Sequence, residues 1–150
     1  MKRWLALILT AMMCMTLVGC GNSKKIPLPF EVSEVKEIEL YHYSVPADAE
    51  KKTLVHQHEI ESIYNMLSGI SIKNKEVEPL SGTATTIFSF TLADDTLYNV
   101  TYCFGDITYG TVNLSNDETT WFTSTNIESL WYASDVDSTS IEMSELPATN

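Results

Sequence analysis

The sequence predicts an α+β domain in which an antiparallel sheet of five or six strands carries two helices packed on one face. Three observations lead there. Between Thr83 and Leu114 apolar and polar residues alternate in three runs, separated by Asp94-Asp95 and Gly105-Asp106, the pattern of an antiparallel meander. From Gln57 to Ser68, Ile60, Ile63, Tyr64 and Leu67 recur at helical spacing and make one apolar stripe. A third stripe, Ile127, Leu130 and Trp131, follows a Thr125/Glu128 capping box.

The chain opens with Met1-Lys2-Arg3, an apolar run from Trp4 to Val18, and Gly19-Cys20. A cationic start, a short apolar run and a small residue at its end are the layout of a secretory signal peptide. The run is shorter than the roughly 20 residues a membrane-spanning helix needs. It therefore reads as a cleaved export signal. Gly21 to Lys25 is small and polar, and Ile26-Pro27-Leu28-Pro29 is stiffened by its two prolines, so the composition predicts a tether.

Strand character begins at Phe30 and Val32, slips phase near Glu34-Val35, and resumes with Ile38, Leu40 and His42 facing one way and Glu37, Glu39, Tyr41 and Tyr43 the other. The slip predicts a bulge. Val45 to Glu50 is turn chemistry and Lys52 to His56 a short strand. The helix over 57–68 has Glu59 and Glu61 in its first turns, where the dipole favours acids, and Gly69 at its end. Ile70 to Lys73 reads as a strand and Glu76 to Gly82 as a loop. In the meander Phe88, Phe90 and Leu92 share a face, as do Tyr98, Val100, Tyr102 and Phe104. Thr119 to Thr123 adds an edge strand before the second helix. From Ser134 the chain is Ser, Asp, Thr and Glu with few apolar residues, which predicts a disordered acidic tail. The organisation is thus 1–19 signal, 20–29 tether, 30–133 one domain, and 134–150 tail.

Charge excludes one class of partner. The net charge of −11 becomes −13 once Lys2 and Arg3 leave with the signal, and no arginine remains after Arg3. Nucleic-acid binding needs clustered Lys and Arg, so no nucleic-acid partner is expected. Of three cysteines, Cys14 lies in the signal and Cys20 at its end; Cys103 alone cannot form a disulfide within the domain and sits in a strand with no histidine–acid pattern around it.

No motif carries catalysis. There is no nucleophile elbow, phosphate-binding glycine loop or HExxH, so no enzyme activity and no cofactor are expected. His56 and His58, with His42, would be the ligands if zinc bound. They read as a strand end and a helix start on a solvated face, and no metal is assigned. Asp135-Val136-Asp137 begins like a calcium loop but has Ser140 at the sixth position and Leu146 where the bidentate glutamate belongs. Glu76 and Glu78 flank Pro79 in a loop. Tyr41 and Tyr43, set among Glu37 and Glu39, form a contact patch if their face is open, and otherwise pack under the tail or a neighbouring loop.

Leu17-Val18-Gly19-Cys20 resembles the bacterial lipobox, and the likeness implies that Cys20 is lipidated, thioether lipid and palmitate included, and becomes the first mature residue. Together with the Val-Lys-Glu-Ile-Glu-Leu-Tyr strand, the Glu-Ile-Glu-Ser-Ile-Tyr helix, the Thr-Leu-Ala-Asp-Asp-Thr turn and Ile-Glu-Ser-Leu-Trp, it makes the chain similar to small Gram-positive lipoproteins that carry one domain of unknown function. The resemblance implies a protein held on the outer face of the cell membrane through Cys20. With no chemical motif, the expected function is a non-catalytic interaction module with a protein or cell-envelope partner, or alternatively a small-molecule or metal-ion binder.

Overall fold

The computed structural model describes residues 23–75, 83–106 and 109–148. They form one nine-stranded sheet in which every pairing is antiparallel: β1 (Ser23–Lys25), β2 (Val35–Tyr43), β3 (Glu50–Leu54), β4 (Ser71–Lys73), β5 (Thr85–Leu92), β6 (Leu97–Asp106), β7 (Tyr109–Leu114), β8 (Trp121–Thr123) and β9 (Thr139–Ser140). Their order across the sheet is β1-β4-β8-β7-β6-β5-β2-β3-β9. Helix α1 (Gln57–Ser68) packs on one face, and α2 is a five-residue turn of helix, Ser129–Ala133.

The fold class read from the sequence is corrected by this arrangement. Among the described residues the fold is sheet-dominated with one full helix, not an α+β domain of five or six strands under two helices. The strands not read from the sequence are β1 and β9, of three and two residues, too few to show alternation, and β8, expected at an edge, lies between β7 and β4. The second helix is only five residues long and the expected capping box is absent: Glu128 makes no cap bond, and its carboxylate lies on His42 Nε2 at 2.8 Å.

The core lies between α1 and the sheet. Ile60, Ile63 and Leu67 of α1 meet Ile38, Leu40, Leu54, Phe88, Phe90, Val100 and Val112, side chains placed together by cross-strand pairs such as Ile38 with Phe90 and Leu40 with Phe88. Register shifts between Val35 and Glu37, where the alternation slips. Asp95 and Asn116 take positive φ of 64° and 63° in the β5–β6 and β7–β8 turns, a conformation Asn and Asp tolerate.

Both ends of the domain contribute to this packing. Ile26 is 2% exposed and Phe30 packs its ring against Tyr64, Phe90 and Tyr98. From Ser23 onward, the stretch that composition marks as tether therefore lies in the sheet and continues into the core. The segment predicted to be disordered beyond Ser134 pairs β9 with β3, donates from Ile141 N to Ala49 O, and turns through Met143–Glu145 beside Pro46–Asp48. It brings Ala148 beside Asn99, Thr101 and Asn113 on the sheet face opposite α1. Central strand β5 is consequently buried on both faces from Thr85 to Phe90.

Candidate functional site

A groove of about 270 Å³ opens between α1 and the segment that leaves α2. Its floor is Leu54 and Ile63, Met66 and Ala133 form apolar walls, and His58, Glu59, Ser62 and Asp135 supply a polar rim. Alternation along β3 explains part of this. Leu54 faces the core and is 1% exposed, two residues beyond Lys52 on the same face.

Lys52 holds the outer wall. Its side chain is nearly buried, and Nζ donates to Trp131 O at 3.0 Å and Ser134 O at 2.8 Å while lying 4.7 Å from the centroid of the Trp131 ring. The last carbonyls of a helix lack internal partners and a cation there is favourable. Lys52→Met keeps the stem but leaves both carbonyls without this donor. It is expected to cost about 1.5–3 kcal/mol, the range for hydrogen bonds to charged groups, and to speed amide exchange in residues 133–136; unchanged exchange would show that the wall is held by something else.

The Trp131 ring also stacks on His42, with centroids 5.4 Å apart and planes at 21°, and Tyr132 meets the same imidazole edge-on. His42 and Glu128 are mostly buried, and their contact ties β2 to the start of α2. A histidine–carboxylate pair is the orienting half of many acid–base sites. Here the imidazole packs against two aromatic rings and neither residue lines the groove, so the pair fastens α2 to the sheet.

The histidines named from sequence fall in two places. His56 and His58 stack at the start of α1 with centroids 6.0 Å apart. His42 pairs with Glu50, six residues before His56, which at about 3.3 Å per residue puts it roughly 20 Å away along the ladder. Among the described residues no group of three His, Cys, Asp or Glu side chains is arranged to hold a metal ion. Tyr41 is 5% exposed; its hydroxyl donates to Glu39 Oε2 at 2.7 Å, and Lys51 Nζ holds the other carboxylate oxygen at 3.0 Å. Tyr43 is half-buried beside Thr85, and Cys103 is half-buried with Sγ 3.8 Å from Thr85 Oγ1. Leu17, Val18, Gly19 and Cys20 lie outside the described residues, as do Glu76 and Glu78.

Burial pushes the Tyr41 hydroxyl well above its ordinary range, and its bond to Glu39 adds to the effect. Burial pushes Tyr102 up to about 12, against a backbone hydrogen bond with Ile127 that pulls down. The unfolded chain releases tyrosine protons near about 10, so above that pH it binds fewer protons than the fold does. Stability from these groups is complete below pH of about 10 and is lost as pH rises toward the folded value of about 12. A near-ultraviolet titration is expected to show these phenols ionising together with unfolding; smooth ionisation near pH 10 with the fold intact would contradict their burial.

Comparison with protein families, curated proteins and solved structures finds no match to this chain. Sequence reasoning missed Lys52 and the groove between Leu54 and Asp135, and read Trp131 only as part of an apolar stripe. The one available signal was a lysine on the apolar phase of a strand, Lys52 two before Leu54, which marks a cation with a buried partner.

Proposed function

We propose that this chain is an extracytoplasmic lipoprotein, held at the outer face of the cell membrane by lipid on Cys20. Its domain is a non-catalytic interaction module that takes an apolar side chain of a protein or cell-envelope partner into the α1 groove. The groove supports this reading: an apolar floor with a polar rim and about 270 Å³ of space. Sites for whole small molecules run from about 300 to 1,000 Å³, so the volume favours one inserted side chain over an enclosed solute. The opposite sheet face offers less concavity, because the chain's own C-terminal segment crosses it.

A photo-crosslinking residue at Met66, on the groove wall and 38% exposed, is compared on intact cells with one at Val45, 54% exposed at the other end of the β2–β3 ladder. The expected result is a discrete adduct from Met66 alone, lost in Ser62→Arg. The same adducts from both positions would reject the groove as the binding site. A thermal shift with small solutes but no adduct would instead favour the solute-binding alternative. Lipidation is tested separately by the mass of the exported chain and by release of Cys20→Ser from membranes.

A further inference from the structure

We propose that the β1–β4 edge of the sheet is a seat for anionic lipid headgroups, so that the anchored domain stands on this edge instead of swinging on a flexible leash. This rests on the lipid reading of Cys20. Only Gly21 and Asn22 separate that residue from Ser23, where β1 begins. Three residues span at most about 11 Å. The sheet edge built from β1 and its neighbour β4 is therefore the part of the domain nearest the anchor.

Charge on that edge is opposite to charge on the rest of the domain. After Cys20 the chain has seven lysines, no arginine and twenty acidic residues. Lys36, Lys51 and Lys52 are occupied elsewhere, with Asp95, Glu39 and the carbonyls behind α2. The other four, Lys24, Lys25, Lys73 and Lys75, all fall on β1, β4 or the two residues after β4, and all are exposed, although Lys25 Nζ donates to Gly69 O and Ser71 Oγ at that same edge. Glu76 and Glu78 follow in sequence, outside the described residues. A strongly acidic domain is repelled by an anionic bilayer everywhere except at such an edge, and the lipid anchor removes most of the cost of bringing it there.

The side chains beside these lysines suit the same surface. Lys24 Nζ lies 3.8 Å from the Trp121 ring centroid and 3.9 Å from Asp117 Oδ2, and Lys75 Nζ lies 4.8 Å from the Phe122 ring centroid. Trp121 and Phe122 point to opposite faces of β8, so each face of the edge presents an aromatic ring under an ammonium group. Aromatic rings with lysines are the side chains that settle at headgroup level. Lysine on an edge strand also blocks pairing with other sheets. That role covers Lys24 and Lys25 but not Lys73, which is on the inner strand, or Lys75 beyond it.

Trp121 is a native reporter of this edge, since Trp4 precedes Cys20 and Trp131 is 4% exposed in the core. Among the described residues every core residue lies at or after Ile26, so residues 20–150 carry that core. This chain, with Cys103→Ser, is coupled through the Cys20 thiol to a maleimide lipid in vesicles containing headgroup spin-labelled lipid. On phosphatidylglycerol vesicles Trp121 emission is expected to be quenched, and on phosphatidylcholine alone much less. Each lysine near an anionic surface is worth about fivefold in occupancy, so Lys73→Gln with Lys75→Gln should lower the docked-to-undocked ratio roughly 25-fold. Equal quenching on the two lipids, or no response to the double substitution, overturns the proposal. So does protection of the lysines from an amine reagent by free glycerol-phosphate polymer but not by phosphatidylglycerol vesicles, which would assign the edge to a wall polymer. Because coupling supplies the anchor chemically, failure of natural lipidation at Cys20 would show only in the mass of the exported chain.

Discussion

Replacing Gly110 with alanine is expected to lower the unfolding free energy by about 2–5 kcal/mol, a large share of the roughly 5–15 kcal/mol a domain has. A Cβ at this position would lie 2.3 Å from Cε2 of Tyr102 and 2.6 Å from both its Cζ and its hydroxyl oxygen. Gly110 of β7 pairs with Phe104, and Tyr102 of β6 sits diagonally beside it, so the phenol ring lies over the glycine as over a notch. The ring cannot swing out, being 1% exposed and tied by its hydroxyl to the Ile127 backbone. Overpacking costs about 1–3 kcal/mol and a strained or broken buried hydrogen bond about as much again. The urea midpoint should fall with little change in slope. In a Tyr102→Leu background the same glycine substitution should cost under about 1 kcal/mol, a coupling well beyond additivity. If the two changes simply add, the ring-over-glycine contact is not what restricts position 110.

Truncation after Ser138 is expected to remove about 2–4 kcal/mol and to expose apolar surface, although composition alone marks these residues as dispensable. The segment leaves the β9–β3 pairing at one side of the sheet and reaches Asn99, Thr101 and Asn113 of β6 and β7 with Ala148. Between those points lie Tyr41 of β2 and Ile87 of β5, 5% and 0% exposed on the face opposite α1. Half-buried Leu146 and Pro147 are the apolar residues available to cover them. Burying an aliphatic side chain is worth about 1.5–3 kcal/mol, and Ile87 with parts of Tyr41 and Leu146 gives the estimate. The shortened chain should bind a hydrophobic dye and unfold at lower urea. Unchanged stability would mean that the segment merely rests on the sheet.

The face of every long strand was legible in the sequence. Ile38, Leu40 and His42 share a face, Phe88 and Phe90 pair with them or with Val100 and Tyr98, and Tyr41 and Tyr43 point the other way, because a period of two over eight or ten residues leaves one consistent assignment. The helix from Gln57 to Ser68 was legible for the same reason at its own period. Turns at Asp95 and Asn116 followed from residues that accept positive φ. By itself, then, the sequence determined the long elements, their inward faces and the acidic charge balance.

Tertiary structure decided the rest. Strands of two or three residues carry no period, so β1 and β9, in stretches that composition marks as tether and tail, form because neighbouring strands offer unpaired N–H and C=O groups to them. Glu128 was free to cap a helix until His42, distant in sequence, offered a buried partner. The groove depends on Lys52 reaching the carbonyls of Trp131 and Ser134 across some eighty residues of chain. Tyr41 could face solvent or a cover, and a tail of mostly polar residues became that cover through backbone pairing at β9 and the half-buried Leu146 and Pro147. Local propensity sets what a segment prefers alone; which buried donor, acceptor or apolar surface it finds is settled only when the sheet is assembled.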